Sequence, residues 1–119
     1  MFGNFFTRAG HQLFMRIENS PKLTVALLDG LSLGGGSELA LACRMIIATP
    51  AGSLSFPETG IGIYPGLGGM LRTSRMIGAQ LAKYYVFTGS TISAQDAHEL
   101  GILTELVAPS EVDATIQKL

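Results

Sequence analysis

Glu38 follows Gly34-Gly35-Gly36-Ser37, and Glu58 stands just ahead of a second glycine-rich run, Gly60-Ile61-Gly62-Ile63-Tyr64-Pro65-Gly66-Leu67-Gly68-Gly69. Two carboxylates in different surroundings can divide the work of a general base and a general acid, and glycines let backbone N–H groups come close to a reacting atom. Successive glycines also lose conformational entropy and bury no side chain, so this backbone must be needed for a close approach. Gly34 to Gly36 lead a strand into a helix, which leaves the N–H groups of Gly35 and Gly36 near the helix start. There the dipole favours negative charge, such as a phosphate or a developing oxyanion. A tight turn that only permits close helix packing explains the same glycines equally well at the local level.

Glu38 by itself is most simply an acid in a first helical turn, a placement that stabilises by roughly 0.3–1 kcal/mol. The residues after it, Leu39-Ala40-Leu41-Ala42-Cys43, are all apolar, so the helix reads as buried, and a buried glutamate needs a partner or a task. Glu58, between Pro57 and Thr59, has the weaker local case and by itself reads more simply as a surface-loop acid. Other site chemistries fail on spacing. Neither glycine run completes a phosphate loop or a dinucleotide fingerprint. Ser37 has Leu39 where a nucleophile elbow needs glycine, and His11 and His98 have no supporting motif and read as solvent-facing.

The elements that must position the two acids alternate helix and strand. Residues 4–18 place Phe6, Leu13, Phe14 and Ile17 near helical spacing, ended by Asn19-Ser20-Pro21. Leu23–Leu28 reads as a buried strand stopped at Asp29-Gly30. A short helix is expected over Ser37–Cys43, strands over Met45–Thr49 and Ser53–Phe56, and a loop over Pro57–Pro65. Helices follow over Gly66–Met76 and Ala79–Phe87, then a Ser93-capped helix closed by Gly101, a strand over Ile102–Val107 and a helix begun at Ser110. Such alternation predicts an α/β fold in a single domain over residues 1–119.

With 119 residues, 47% hydrophobic and 14% charged, the chain suffices for one core. A net charge of −1 without a basic cluster gives no footprint for nucleic acid or an anionic membrane surface, and no apolar run is long enough to span a bilayer. Cytoplasm is the default expectation, with a small molecule as partner. The lone Cys43 cannot form an internal disulfide, has no metal-spaced neighbours and reads as a small core residue. An aromatic opening (Phe2, Phe5, Phe6) and an end at Leu119 inside a helix read as a piece of a longer polypeptide.

Val25-Ala26-Leu27-Leu28-Asp29-Gly30-Leu31-Ser32-Leu33-Gly34-Gly35-Gly36-Ser37-Glu38-Leu39-Ala40-Leu41-Ala42-Cys43 resembles the signature of the crotonase (enoyl-CoA hydratase/isomerase) superfamily. The resemblance continues in register through Phe56-Pro57-Glu58, Gly60-Ile61-Gly62, Pro65-Gly66-Leu67-Gly68-Gly69, Arg72–Gly78, Thr88-Gly89, Ile92–Ala97 and Gly101-Ile102-Leu103. It covers nearly all of the chain from about Pro21.

What the resemblance implies is a partial crotonase-like ββα spiral and an acyl-CoA thioester substrate, with no metal and no covalently bound cofactor, the coenzyme A being carried by the substrate. By position, Gly35 supplies one oxyanion N–H, Glu38 and Glu58 match the paired catalytic glutamates of hydratases, and Gly66 matches a glycine whose backbone positions the water. Adding water to a 2-enoyl thioester puts charge on the carbonyl oxygen, which preorganised donors stabilise in the transition state. Glu38 then activates water and Glu58 delivers a proton to carbon, giving 3-hydroxyacyl-CoA by syn addition, as in fatty-acid β-oxidation.

Departures temper this. Family members carry an upstream segment with the second oxyanion donor and much of the CoA pocket, and C-terminal helices that close the acyl site and join subunits into trimer-based homo-oligomers. The chain reads as starting after the one and stopping before the other, so alone it is expected to be weak or inactive. Arg44 stands where the signature favours an acid. The parent reads as a stand-alone hydratase or as the hydratase part of a bifunctional protein with 3-hydroxyacyl-CoA dehydrogenase. The alternatives are another crotonase reaction, enoyl-CoA isomerisation or hydroxyacyl-CoA hydrolysis, or a non-catalytic piece.

Overall fold

A computed structural model describes residues 2–119, with side chains from Asn4 onward. Met1 and the Phe2 side chain of the aromatic opening therefore lie outside the described residues. Two sets of stacked strands carry the fold. Strand β1 (Val25–Leu28) pairs in parallel with β3 (Met45–Ala48), in register from Val25 opposite Met45 to Leu28 opposite Ala48. Strand β2 (Leu31–Leu33) pairs in parallel with β4 (Ser53–Ser55), Leu31 opposite Ser53 and Leu33 opposite Ser55. Two successive passes of the chain, β1–β2 and β3–β4, thus lay one strand in each sheet and then turn into helix, a ββα course. Strand β6 (Glu105–Leu106) completes the first sheet against β3, and β5 (Ile92–Ser93) completes the second, antiparallel to β4.

The helices are α1 (Phe2–Glu18), α2 (Gly35–Ala42), α3 (Gly69–Ile77), α4 (Ala79–Thr88), α5 (Ala94–Glu99) and α6 (Val112–Lys118). A 3₁₀ turn spans Pro57–Ile61 and another Pro109–Glu111. The core gathers Leu28, Leu41, Ile46, Leu54, Phe56, Val86, Ile92 and Ile102 between the strands and α2, α4 and α5. Burying each such aliphatic or aromatic side chain contributes about 1.5–3 kcal/mol. Among the described residues no helix is long and apolar enough to cross a membrane.

Several boundaries differ from the sequence reading, each for a local reason. Helix α3 starts at Gly69, not Gly66, because Gly68 takes φ 94°, a left-handed conformation that cannot continue a helix. The strand expected over Ile102–Val107 shrinks to Glu105–Leu106, since the amides of Ile102 and Leu103 turn back to the Ala97 carbonyl. The Pro57–Pro65 loop opens with a 3₁₀ turn, and the helix placed from Ser110 becomes α-helical only at Val112. On α1, Phe14 is buried and Ile17 half-buried, while Leu13 points outward at 53% exposure. Cys43 is half-buried at the C-cap of α2, with Sγ 3.6 Å from the Leu39 carbonyl, and is not a core residue.

Candidate active site

Helix α2 sets the first acid. Gly34, at φ 51° and ψ −115°, turns the chain out of β2, and its amide donates to the Ser55 carbonyl at 2.9 Å. A residue with a β-carbon is strained in that conformation, so the turn needs glycine. Ser37 then locks the helix start to β2 and β4 of the second sheet. Its buried hydroxyl lies 2.8 Å from the Ser32 carbonyl and 2.9 Å from the Ser55 carbonyl, donating to one at a time, and accepts from the Ser55 amide at 3.1 Å. One residue on, Glu38 is carried inward and is only 2% exposed.

The second glycine run folds over that carboxylate. The Leu67 amide donates to Glu38 Oε1 at 2.9 Å and the Gly69 amide at 3.0 Å. Both bonds fall on Oε1, and among the described residues Oε2 accepts none, so Oε2 is the oxygen available to take a proton. Burial raises the pKa of Glu38 above the usual carboxylate value, because the charged form loses water. The two amide bonds oppose that rise, the Glu58 charge adds to it, and His11 opposes it. The result is a carboxylate that is more basic than a free one while fixed in place.

Glu58 enters from the Pro57–Ile61 turn, whose first proline presets the backbone. Its carboxylate lies over Gly34: a β-carbon built there would stand 2.8 Å from Glu58 Oε1. Glu58 is half-buried, and its Oε2 is shielded from solvent without a hydrogen-bond partner among the described residues. A buried carboxylate oxygen left unpaired is costly, which marks it as a group kept for an incoming donor.

A cavity of about 750 Å³ is lined by Phe6, Thr7, Gly35, Glu38, Glu58, Gly62, Ile63, Tyr64, Gly66 and Leu67. The structure therefore brings Glu38, Glu58, Gly35 and Gly66 to one cavity from α2, the 3₁₀ turn and the glycine loop. Gly35 is the first residue of α2, so its N–H has no intrahelical acceptor. The apolar wall comes from Phe6 of α1 and from Ile63, Tyr64 and Leu67. Sequence reasoning missed the α1 wall and the amide donors of Leu67 and Gly69; the only signal was the glycine run itself. His11 is exposed, as expected, yet it faces Glu38 closely enough to be felt. Among the described residues no His, Cys, Asp or Glu cluster could hold a metal ion.

Comparison with known proteins agrees with this arrangement. The short-chain enoyl-CoA hydratase of Clostridium acetobutylicum is 38% identical over 117 residues, 98% of this chain and 45% of that protein. A peroxisomal fatty acid β-oxidation multifunctional protein of Arabidopsis thaliana is 39% identical over 102 residues, 86% of this chain and 14% of the other. The crystal structure of the enoyl-CoA hydratase from Bacillus anthracis superposes with a TM-score of 0.90 at 35% identity, covering 97% of this chain and 45% of that one. The chain thus spans about 45% of the length of these two hydratases. With the enoyl-CoA hydratase/isomerase profile matching residues 2–119 and the ββα course built around a buried glutamate, the chain belongs to the enoyl-CoA hydratase/isomerase family.

Proposed function

We propose that the protein carrying this chain is an enoyl-CoA hydratase, adding water syn across the 2,3 double bond of a 2-enoyl-CoA to give 3-hydroxyacyl-CoA. The observation that carries this reading is the presence of Glu38 and Glu58 on one apolar cavity beside the N-terminus of α2. Glu38, made more basic by burial, takes a proton from water through Oε2, and the Gly66 backbone helps hold that water. Oxygen then bonds to the β-carbon as the double bond's electrons move toward the thioester, placing negative charge on its carbonyl oxygen. The Gly35 N–H stabilises that charge, a class of donor whose loss typically costs about 3–4 kcal/mol. Glu58, protonated at the outset, delivers its proton to the α-carbon; Glu38 is left holding the proton taken from water, and its loss to solvent with reprotonation of Glu58 resets the pair, so that one OH and one H are added net.

The relatives' names place such proteins in short-chain hydration and in β-oxidation multifunctional proteins, and we extend both to this protein. We also extend to it the acyl-CoA substrate without a resident cofactor, a trimer-based homo-oligomer and a cytoplasmic setting. Isomerisation is the competing family reaction, and a single acid suffices for it. Crotonyl-CoA hydration and 3-enoyl-CoA isomerisation, assayed side by side on the complete open reading frame, separate the two. Faster hydration supports the hydratase; isomerisation with negligible hydration overturns it.

A further inference from the structure

We propose that Arg72 is a positioning residue for Glu38, acting through the Leu67 peptide; the proposal rests on the hydratase reading for what Glu38 does. Arg72 lies on α3 and is only 7% exposed. Its Nη1 donates to the Leu67 carbonyl at 2.9 Å, and its Nη2 meets Glu18 Oε2, at the end of α1, at 3.3 Å. Leu67 is the residue whose amide donates to Glu38. Its side chain packs beneath α1, where a β-carbon on Gly10 would collide with Cδ2. The carbonyl, amide and side chain of one residue are therefore each held by a different helix: α3, α2 and α1.

The guanidinium also crosses the α-carbon of Gly68, where a β-carbon would collide with Nη1. As a stabilising device the group is poor. Glu18 is 39% exposed, so the ion pair is half-screened and contributes little. Arg72 Nε is buried without a partner among the described residues, which costs free energy. What the side chain does well is geometric: a planar fork with two separate acceptors fixes the loop between them, which a lysine ammonium cannot reproduce. Loosening that loop releases the Leu67 amide from Glu38. The titratable groups that face Glu38 are Glu58 from the 3₁₀ turn and His11 from α1, and among the described residues neither hydrogen-bonds or ion-pairs with Arg72.

The test uses Arg72→Met, Arg72→Lys and Glu18→Gln in the complete open reading frame, each first shown to be folded by thermal melting. Arg72→Met should lower kcat on crotonyl-CoA on the order of 10- to 100-fold with a much smaller change in KM, as expected when a reacting group is misplaced. Its acid limb should move to higher pH, because Glu38 loses an amide bond that holds its acidity against burial. Arg72→Lys keeps the charge without the fork and should shift the limb the same way by less, with Glu18→Gln least affected. A ¹³C carboxyl titration of Glu38, which needs no turnover, should show the same order. A folded Arg72→Met whose Glu38 titration and acid limb coincide with wild type overturns the proposal, however far kcat falls. A wild-type protein inert toward crotonyl-CoA would contradict the hydratase reading alone, and the carboxyl titration would still decide the role of Arg72.

Discussion

Gly69 lies directly against Glu38: its amide donates to Oε1 at 3.0 Å, and a β-carbon built on it would stand 2.8 Å from Glu38 Cγ. The same β-carbon would stand 2.9 Å from Phe56 Cε1, a fully buried ring with no room to retreat. Gly69→Ala should therefore overpack the core at a cost of about 1–3 kcal/mol. Thermal melting and crotonyl-CoA turnover measured together should both fall. An unchanged melting temperature with full turnover would show that the contact relaxes freely.

Glu38 also sets a pH dependence of stability. Its folded pKa is raised, chiefly by burial, above that of an ordinary carboxyl. The native state thus holds a proton that the unfolded chain has released, and stability falls as pH rises from about the unfolded value through the folded one. Below that window the contribution is fully present. Glu38→Gln removes the titration, so its stability relative to wild type should improve as pH rises across the window, read by urea unfolding at a series of pH values. A constant difference between the two proteins would mean that Glu38 titrates alike in both states.

Some of this was open to a reader of the chain and some was not. The start of α2 and the burial of Glu38 follow from Gly34–Ser37 and the apolar run Leu39–Cys43, all local signals. Glu58 is different: nothing near it distinguishes a site acid from a loop acid, and only the long in-register resemblance singled it out. That the loop after it folds back to give its Leu67 and Gly69 amides to Glu38 depends on packing between α1, α2 and α3, which no local pattern encodes. Helical spacing on α1 likewise could not say which side faces inward, and Leu13 went to solvent while Thr7 and Gly10 turned toward the site. The start of α3 was misplaced because apolar spacing says nothing about the φ of Gly68.

Ser37 provides a check on the hydrolase alternative. Its hydroxyl is committed to the carbonyls of Ser32 and Ser55 and to the Ser55 amide, and no histidine is among its hydrogen-bond partners in the described residues. Ser37→Ala removes these bonds from a buried site and should cost about 0.5–1.5 kcal/mol of stability by chemical denaturation while crotonyl-CoA turnover persists. Turnover lost from a well-folded variant would give the hydroxyl a chemical task.

The division of labour between the acids is open to isotope exchange. Glu38→Gln should stop hydration yet leave exchange of the α-protons of added 3-hydroxyacyl-CoA with solvent deuterium, because Glu58 remains. Glu58→Gln should remove both, as followed by NMR of the recovered acyl-CoA. Exchange that survives Glu58→Gln and vanishes in Glu38→Gln would reverse the assignment.

Glu38 and Glu58 line one cavity, and the proposed hydration needs both to act on one substrate there. Its most direct measurement is the loss of enoyl-thioester absorbance when crotonyl-CoA meets the complete protein as wild type, Glu38→Gln and Glu58→Gln. Glutamine keeps the size and much of the hydrogen bonding but cannot move the proton, so each substitution should lower the rate on the order of 100-fold or more in a protein that still melts cooperatively. Both variants hydrating within about tenfold of wild type, below the usual effect of removing an acid–base group, would make the carboxylates structural and contradict the account.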